Sequence, residues 1–134
     1  MNAGDEDKEI KIRTVIAAVD DMFFASKISA TARALGMVVS FPRTQAALIS
    51  LAREELPDLL VVDLHNAKIN PIEIAAQMKS IEPLRSVPLL GFFSHVNVEL
   101  QRQALEAGYD EVIPRSLFAR DLAKILAGTN LNNK

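Results

Sequence analysis

The stretch Pro57-Asp58-Leu59-Leu60-Val61-Val62-Asp63 decides how this chain reads. Four apolar residues in a row, Leu59 to Val62, end on a lone carboxylate. A short apolar run between polar punctuation is the pattern of a strand covered on both faces, as in a parallel sheet. In open α/β sheets ligands gather outside the carboxyl ends of the strands, which is where Asp63 falls. On this segment alone Asp63 reads equally as a ligand-facing group or as a cap for the loop behind it.

Working outward, residues 12–19 form a second apolar run, partly β-branched, that closes on Asp20-Asp21. Residues 22–35 follow at helical spacing, with Phe24, Ile28, Ala32 and Leu35 on one stripe and Gly36 just beyond as the stop. Met22 and Phe23 read as helix-start or core packing, with a binding patch as the alternative. Residues 37–41 are a short strand and 44–54 a helix with Ala47, Leu48 and Leu51 inward. After Asp63, residues 64–70 are a polar loop, and Asn70-Pro71 is an N-cap followed by proline, which starts a helix over 72–81. Residues 89–93 form a strand, 98–107 a helix closed by Gly108, 110–113 a last short strand and 117–126 a terminal helix. Five strands alternating with five helices predict an α/β fold: a parallel sheet, covered on both faces, with right-handed crossovers. Residues 1–10 read as a disordered acidic lead-in, 11–127 as one domain and 128–134 as a polar tail.

Composition narrows the function classes. The 134 residues suit one domain with one core, and 49% hydrophobic with 24% charged residues is ordinary for a globular chain. A net charge of -2 argues against nucleic acid as the partner, since counterion release needs a basic surface. There is no cysteine, which removes disulfides and thiolate metal sites. No apolar run nears the ~18 residues of a membrane helix, and no signal peptide is visible, so a cytoplasmic location is the default expectation.

If the first and third strands are neighbours, Asp20, Asp21 and Asp63 converge. Two carboxylates ~5 Å apart repel by about 3 kcal/mol at an effective dielectric of 20. Relief comes from a hard divalent cation, a raised pKa or a basic neighbour. Oxygen ligands with room for water suit Mg²⁺, and Arg115, after the fifth strand, supplies a cation.

Val19-Asp20-Asp21, the run from Pro57 to Asp63, and Leu105-Glu106-Ala107-Gly108, in that order and spacing, resemble the receiver domains of the bacterial response-regulator family over residues 14–127. The resemblance implies a flavodoxin-like doubly wound sheet of order 2-1-3-4-5. It also implies phosphorelay signalling: Asp63 as the acceptor of a phosphoryl group from a histidine kinase or phosphotransfer protein. Mg²⁺ would be held by Asp20, Asp21 (the more direct ligand), Asp63 and the backbone carbonyl of His65. Such a chain is not an independent enzyme. Its output passes through a downstream protein partner, by likeness at the fourth helix, fifth strand and fifth helix, here Glu99, Arg102, Gln103, Tyr109 and Arg120. A homodimer is left open.

The sequence departs from the family at several positions. Phe93 stands where the family has Ser or Thr to grip a phosphoryl oxygen, with Ser94 one residue on as the substitute hydroxyl. Arg115 replaces the family lysine, Ser116 the proline behind it, and Val112 the switch aromatic. The second reading is therefore a pseudo-receiver, an interaction module that is no longer phosphorylated, with Phe93 filling the space over Asp63. A cobalamin site beginning at Asp63-Leu64-His65 would need glycine where Lys68 stands, and a dinucleotide fold would need glycines where Asp20-Asp21-Met22 stands. His65 and His95 read as loop histidines, and Lys68 as a solvated charge or a kinase-recognition residue.

Overall fold

Strand β1 (Thr14–Ala18) is apolar on both sides of its pleat, and both sides are buried. In the computed structural model, which describes residues 11–128, it lies between β2 (Val38–Ser40) and β3 (Leu59–Asp63). Strands β4 (Leu89–Phe93) and β5 (Glu111–Pro114) complete a five-stranded, all-parallel sheet of order 2-1-3-4-5. The lead-in expected over 1–10 and all but the first residue of the tail expected over 128–134 lie outside the described residues.

Each strand is followed by helix: α1 (Met22–Ala34), α2 (Gln45–Glu55), α3 (Pro71–Ser80), α4 (Val98–Ala107), α5 (Arg115–Arg120) and α6 (Leu122–Ala127). None of these is long and apolar enough to cross a membrane. Helices α1 to α4 start where short polar side chains accept the free amides of the first turn. Asp21 caps α1, Thr44 caps α2, Asn70 caps α3 with Pro71 behind it, and Asn97 caps α4. The single terminal helix expected over 117–126 is two pieces beginning at Arg115. Asp121, with ψ near 26°, kinks the chain while the hydrogen-bond ladder continues from Leu117 to Ile125. Helix α2 stops at Leu56, a non-glycine residue in the left-handed region at φ 49°, just before Pro57.

The two-sided burial of the strands produces two cores. On one face Ile16, Leu60, Val62 and Leu89 pack against Leu48, Ile74 and Met78. On the other, Val15, Val61 and Phe92 pack against Phe24, Ile28, Phe118 and Leu126. At roughly 1.5–3 kcal/mol for each large side chain fully buried, these two layers dominate the fold's stability. Tyr109, expected on an exposed face, is buried at 4% exposure. It lies against Gly91, where an added Cβ would come within 3.0 Å of Leu64 and 3.2 Å of the Tyr109 ring, and its hydroxyl donates to the carbonyl of Pro71 at 2.8 Å. Burial pushes its phenol far up, so it remains a donor. Met22 and Phe23 correct the expectation in the other direction: at 76% and 91% exposed they pack in neither core.

Candidate functional site

All five strands point the same way, so their carboxyl ends form one edge. Ala18 pairs with Val62 across β1 and β3, and the next residues on the two strands lead into Asp20-Asp21 and Asp63. Asp21 turns the chain into α1, and its Oδ1 accepts the amides of Phe23 at 2.9 Å and Phe24 at 3.2 Å. Asp63 is half-buried as the last residue of β3, and its Oδ1 accepts the amide of His65 at 2.9 Å. Burial raises the Asp63 carboxyl above its ordinary pKa, and the Asp21 charge pushes the same way. The His65 amide and the charges of His65 and Arg115 oppose that rise.

Two side-chain cations pair with the carboxylates of this edge, one from the start of a helix and one from a loop. Arg115 opens α5 and donates to Asp21 Oδ2 at 2.9 Å. That bond, with the α1 amides, holds the Asp21 carboxyl below its usual range. The same guanidinium lies 4.4 Å over the ring of Phe24, a favourable cation–π position. Phe24 is fixed edge-on to Phe92 and Phe118, whose rings stack at 4.7 Å, so Arg115 rests on a rigid aromatic ledge. Lys68 pairs with Asp20 at 3.2 Å. The loop that carries it is fastened by Asn66, a buried polar side chain. Its amide nitrogen donates to the carbonyl of Ala18 at 3.2 Å, and its oxygen accepts the Lys68 amide at 3.0 Å.

The structure thus assembles Asp20, Asp21, Asp63 and Arg115 at one edge. Ser94 is exposed just past β4. Phe93 is buried, 8% exposed, at the end of β4 opposite Pro114. Val112 is half-buried, and no peptide bond among the described residues is cis. The rings of His65 and His95 meet edge to face at 5.7 Å, linking the loops after β3 and β4. Asn66 was not singled out in the sequence. Its only local signal is an Asx two residues before a lysine, and its partner carbonyl is 48 residues away.

The carboxylates of Asp20, Asp21 and Asp63 and the carbonyl of His65 are the donor types a hard divalent cation takes, so the set suits Mg²⁺ chemically. Asp20 and Asp21, however, already carry Lys68 and Arg115. Among the described residues, no three His, Asp or Glu side chains converge as a metal-binding group.

No protein-family model matches the sequence, and no curated protein matches it. Solved structures do. The chemotaxis response regulator CheY4 of Vibrio cholerae is 15% identical, over 90% of this chain and 100% of that one, with a TM-score of 0.77. The receiver domain of the sensor histidine kinase PA1611 of Pseudomonas aeruginosa, described with magnesium in its active-site cleft, is 17% identical over 87% and 95%, at 0.75. The phosphorylated cyanobacterial phytochrome response regulator RcpA is 19% identical over 88% and 91%, at 0.73. At these identities the likeness is one of fold, and the fold is the receiver-domain, CheY-like, flavodoxin-type fold.

Proposed function

We propose that this receiver-fold chain is a signal receiver that takes a phosphoryl group on Asp63 from a phosphohistidine of a partner kinase or phosphotransfer protein. One observation carries the reading. Of the three carboxylates at the carboxyl edge of the sheet, Asp63 alone has no ion-pair partner among the described residues, and it ends the central strand beside β1. In the transfer, an Asp63 carboxylate oxygen bonds to phosphorus as the partner's P–N bond breaks, and the departing imidazole nitrogen takes up a proton. The residues that would hold Mg²⁺ are Asp20, Asp21, Asp63 and the His65 carbonyl. Bound there, the ion would supply charge neutralisation for the carboxylates and the phosphoryl oxygens. Arg115 contributes a planar donor fork suited to phosphoryl oxygens. The chain serves as the substrate of its partner and not as an independent enzyme. Its signal leaves through a downstream protein, with the exposed Phe23 and Met22 beside Asp21 offering apolar contact area.

The test is amide NMR with Mg²⁺ and then beryllofluoride, a mimic of the acyl phosphate. Saturable shifts at Asp21, Asp63 and Arg115 that disappear in Asp63→Asn support the acceptor. Their absence in the parent protein sinks it. A second reading, the pseudo-receiver, is favoured by Phe93, a buried ring where a phosphoryl-gripping hydroxyl would stand. It requires that the parent ignore beryllofluoride and that Phe93→Thr respond.

A further inference from the structure

Among the described residues two side-chain cations pair with the carboxylates of the acidic edge, and the loop holding one of them is built to deliver it. Asn66 ties the chain after β3 to the carbonyl of Ala18 at the end of β1 and, through its oxygen, orients the amide of Lys68. From that anchor the Lys68 ammonium reaches Asp20 Oδ1 at 3.2 Å. On the other side Arg115, seated on Phe24, engages Asp21 Oδ2, while Asp21 Oδ1 is committed to the two α1 amides. Formal charges make the consequence plain. Counting the three carboxylates (Asp20, Asp21, Asp63) and the two cations that pair with them (Lys68, Arg115) gives a net charge of -1, against -2 without Lys68, and Arg43 lines the same cleft without an ion pair to Asp20.

We propose that Lys68 is a resident counter-ion of the acidic edge, positioned by Asn66, that competes with a divalent cation for Asp20 and weakens Mg²⁺ binding. The inference rests on the acidic edge being the cation site of the proposed function. It adds that the affinity for the ion is set by a residue of the β3–α3 loop. A unit positive charge held within a few ångströms of a divalent ion opposes it even in a wet site.

Mg²⁺ titrations of the full chain at fixed ionic strength, read by calorimetry and by the amide shift of Asp21, test this. Lys68→Ala is expected to bind Mg²⁺ roughly tenfold more tightly than the parent. Lys68→Arg, which keeps the charge, is expected to match the parent. Lys124→Ala makes the same change in net charge on α6, away from Asp20, and is also expected to match the parent. Lys68 is half exposed, so its truncation leaves both cores intact. Equal Mg²⁺ affinity in Lys68→Ala and the parent overturns the proposal, as does an equal gain in Lys124→Ala. Beryllofluoride added to the same samples separates the two readings. If Asp63 responds to it while the affinities are equal, only the counter-ion role fails. If neither Mg²⁺ nor beryllofluoride moves any variant, the acceptor reading fails with it.

Discussion

The two edges of this sheet use aspartate for opposite purposes. At the amino edge, Asp58 accepts the Thr14 amide and Asp110 accepts the Leu89 amide, each at 2.8 Å, and each carboxylate stitches one strand's start to its neighbour. At the carboxyl edge, Asp20 meets the Lys68 ammonium, Asp21 meets Arg115 as well as two α1 amides, and Asp63 has a single amide. Hollow space does not distinguish the edges in the expected direction. The amino edge has a cavity of about 500 Å³ bordered by Arg13, Asp58 and Asp110, while the cleft beside Asp20 and Lys68 holds about 240 Å³. The lesson is that an acidic residue at a strand end is not itself a functional sign. What matters is whether other charges compete for it.

The largest expected effect falls on Asp63. Asp63→Asn is expected to abolish the beryllofluoride response and yet to be more stable than the parent at neutral pH. The sign follows from burial. A carboxyl whose folded-state pKa is raised destabilises the native state while charged, in full above that pKa. The stability gap between variant and parent, followed by urea denaturation, therefore closes as the pH falls toward the ordinary aspartate value of 3.8. A gap that stays constant with pH removes burial as its cause. Asp21 runs the other way. Its lowered pKa, set by Arg115 and the α1 amides, gives stability at neutral pH that is lost as the pH falls through the acid range.

Next in size are the residues that satisfy backbone groups. Asn66→Ala leaves the Ala18 carbonyl and the Lys68 amide without their partner and is expected to cost about 2 kcal/mol. Asp58→Ala and Asp110→Ala at the other edge are expected to cost about 1–2 kcal/mol each, with Mg²⁺ and beryllofluoride responses unchanged. A changed response in either would erase the contrast between the edges. Arg115→Lys gives up the guanidinium's contact over Phe24, about 0.5–1 kcal/mol in a thermal melt, while keeping the charge. Asp20→Ala is the smallest. It removes a half-exposed ion pair and is expected to shift stability by no more than about 0.5 kcal/mol.

The local patterns carried the class of the fold a long way. Apolar runs such as Leu59–Val62 are covered on both faces because a parallel sheet has helices on both sides, and the strands over residues 59–63 and 89–93 lie where those runs predict. The failures share one cause. Tyr109 looked like surface because nothing near it in sequence announces the gap at Gly91 that admits its ring. Phe118 closes the aromatic stack beneath Arg115, and its partners Phe24 and Phe92 are distant in the chain. Met22 and Phe23 look like core because apolar side chains at a helix start usually are, but the buried face of α1 runs through Phe24, Ile28 and Ala32 and leaves them exposed.

By itself, then, the sequence determined the alternating elements, the two-sided burial of the strands, the Asn70 cap with its proline and the presence of three carboxylates at strand ends. Those features depend on spacing within a few residues, and neighbours in the chain decide them. Only the tertiary structure decided which cation meets which carboxylate. The Asp21–Arg115 bond spans 94 residues, and the anchor from Asn66 to Ala18 spans 48. Coulombic partners are chosen by distance in space, and that distance exists only once β1, β3 and β5 lie in one sheet.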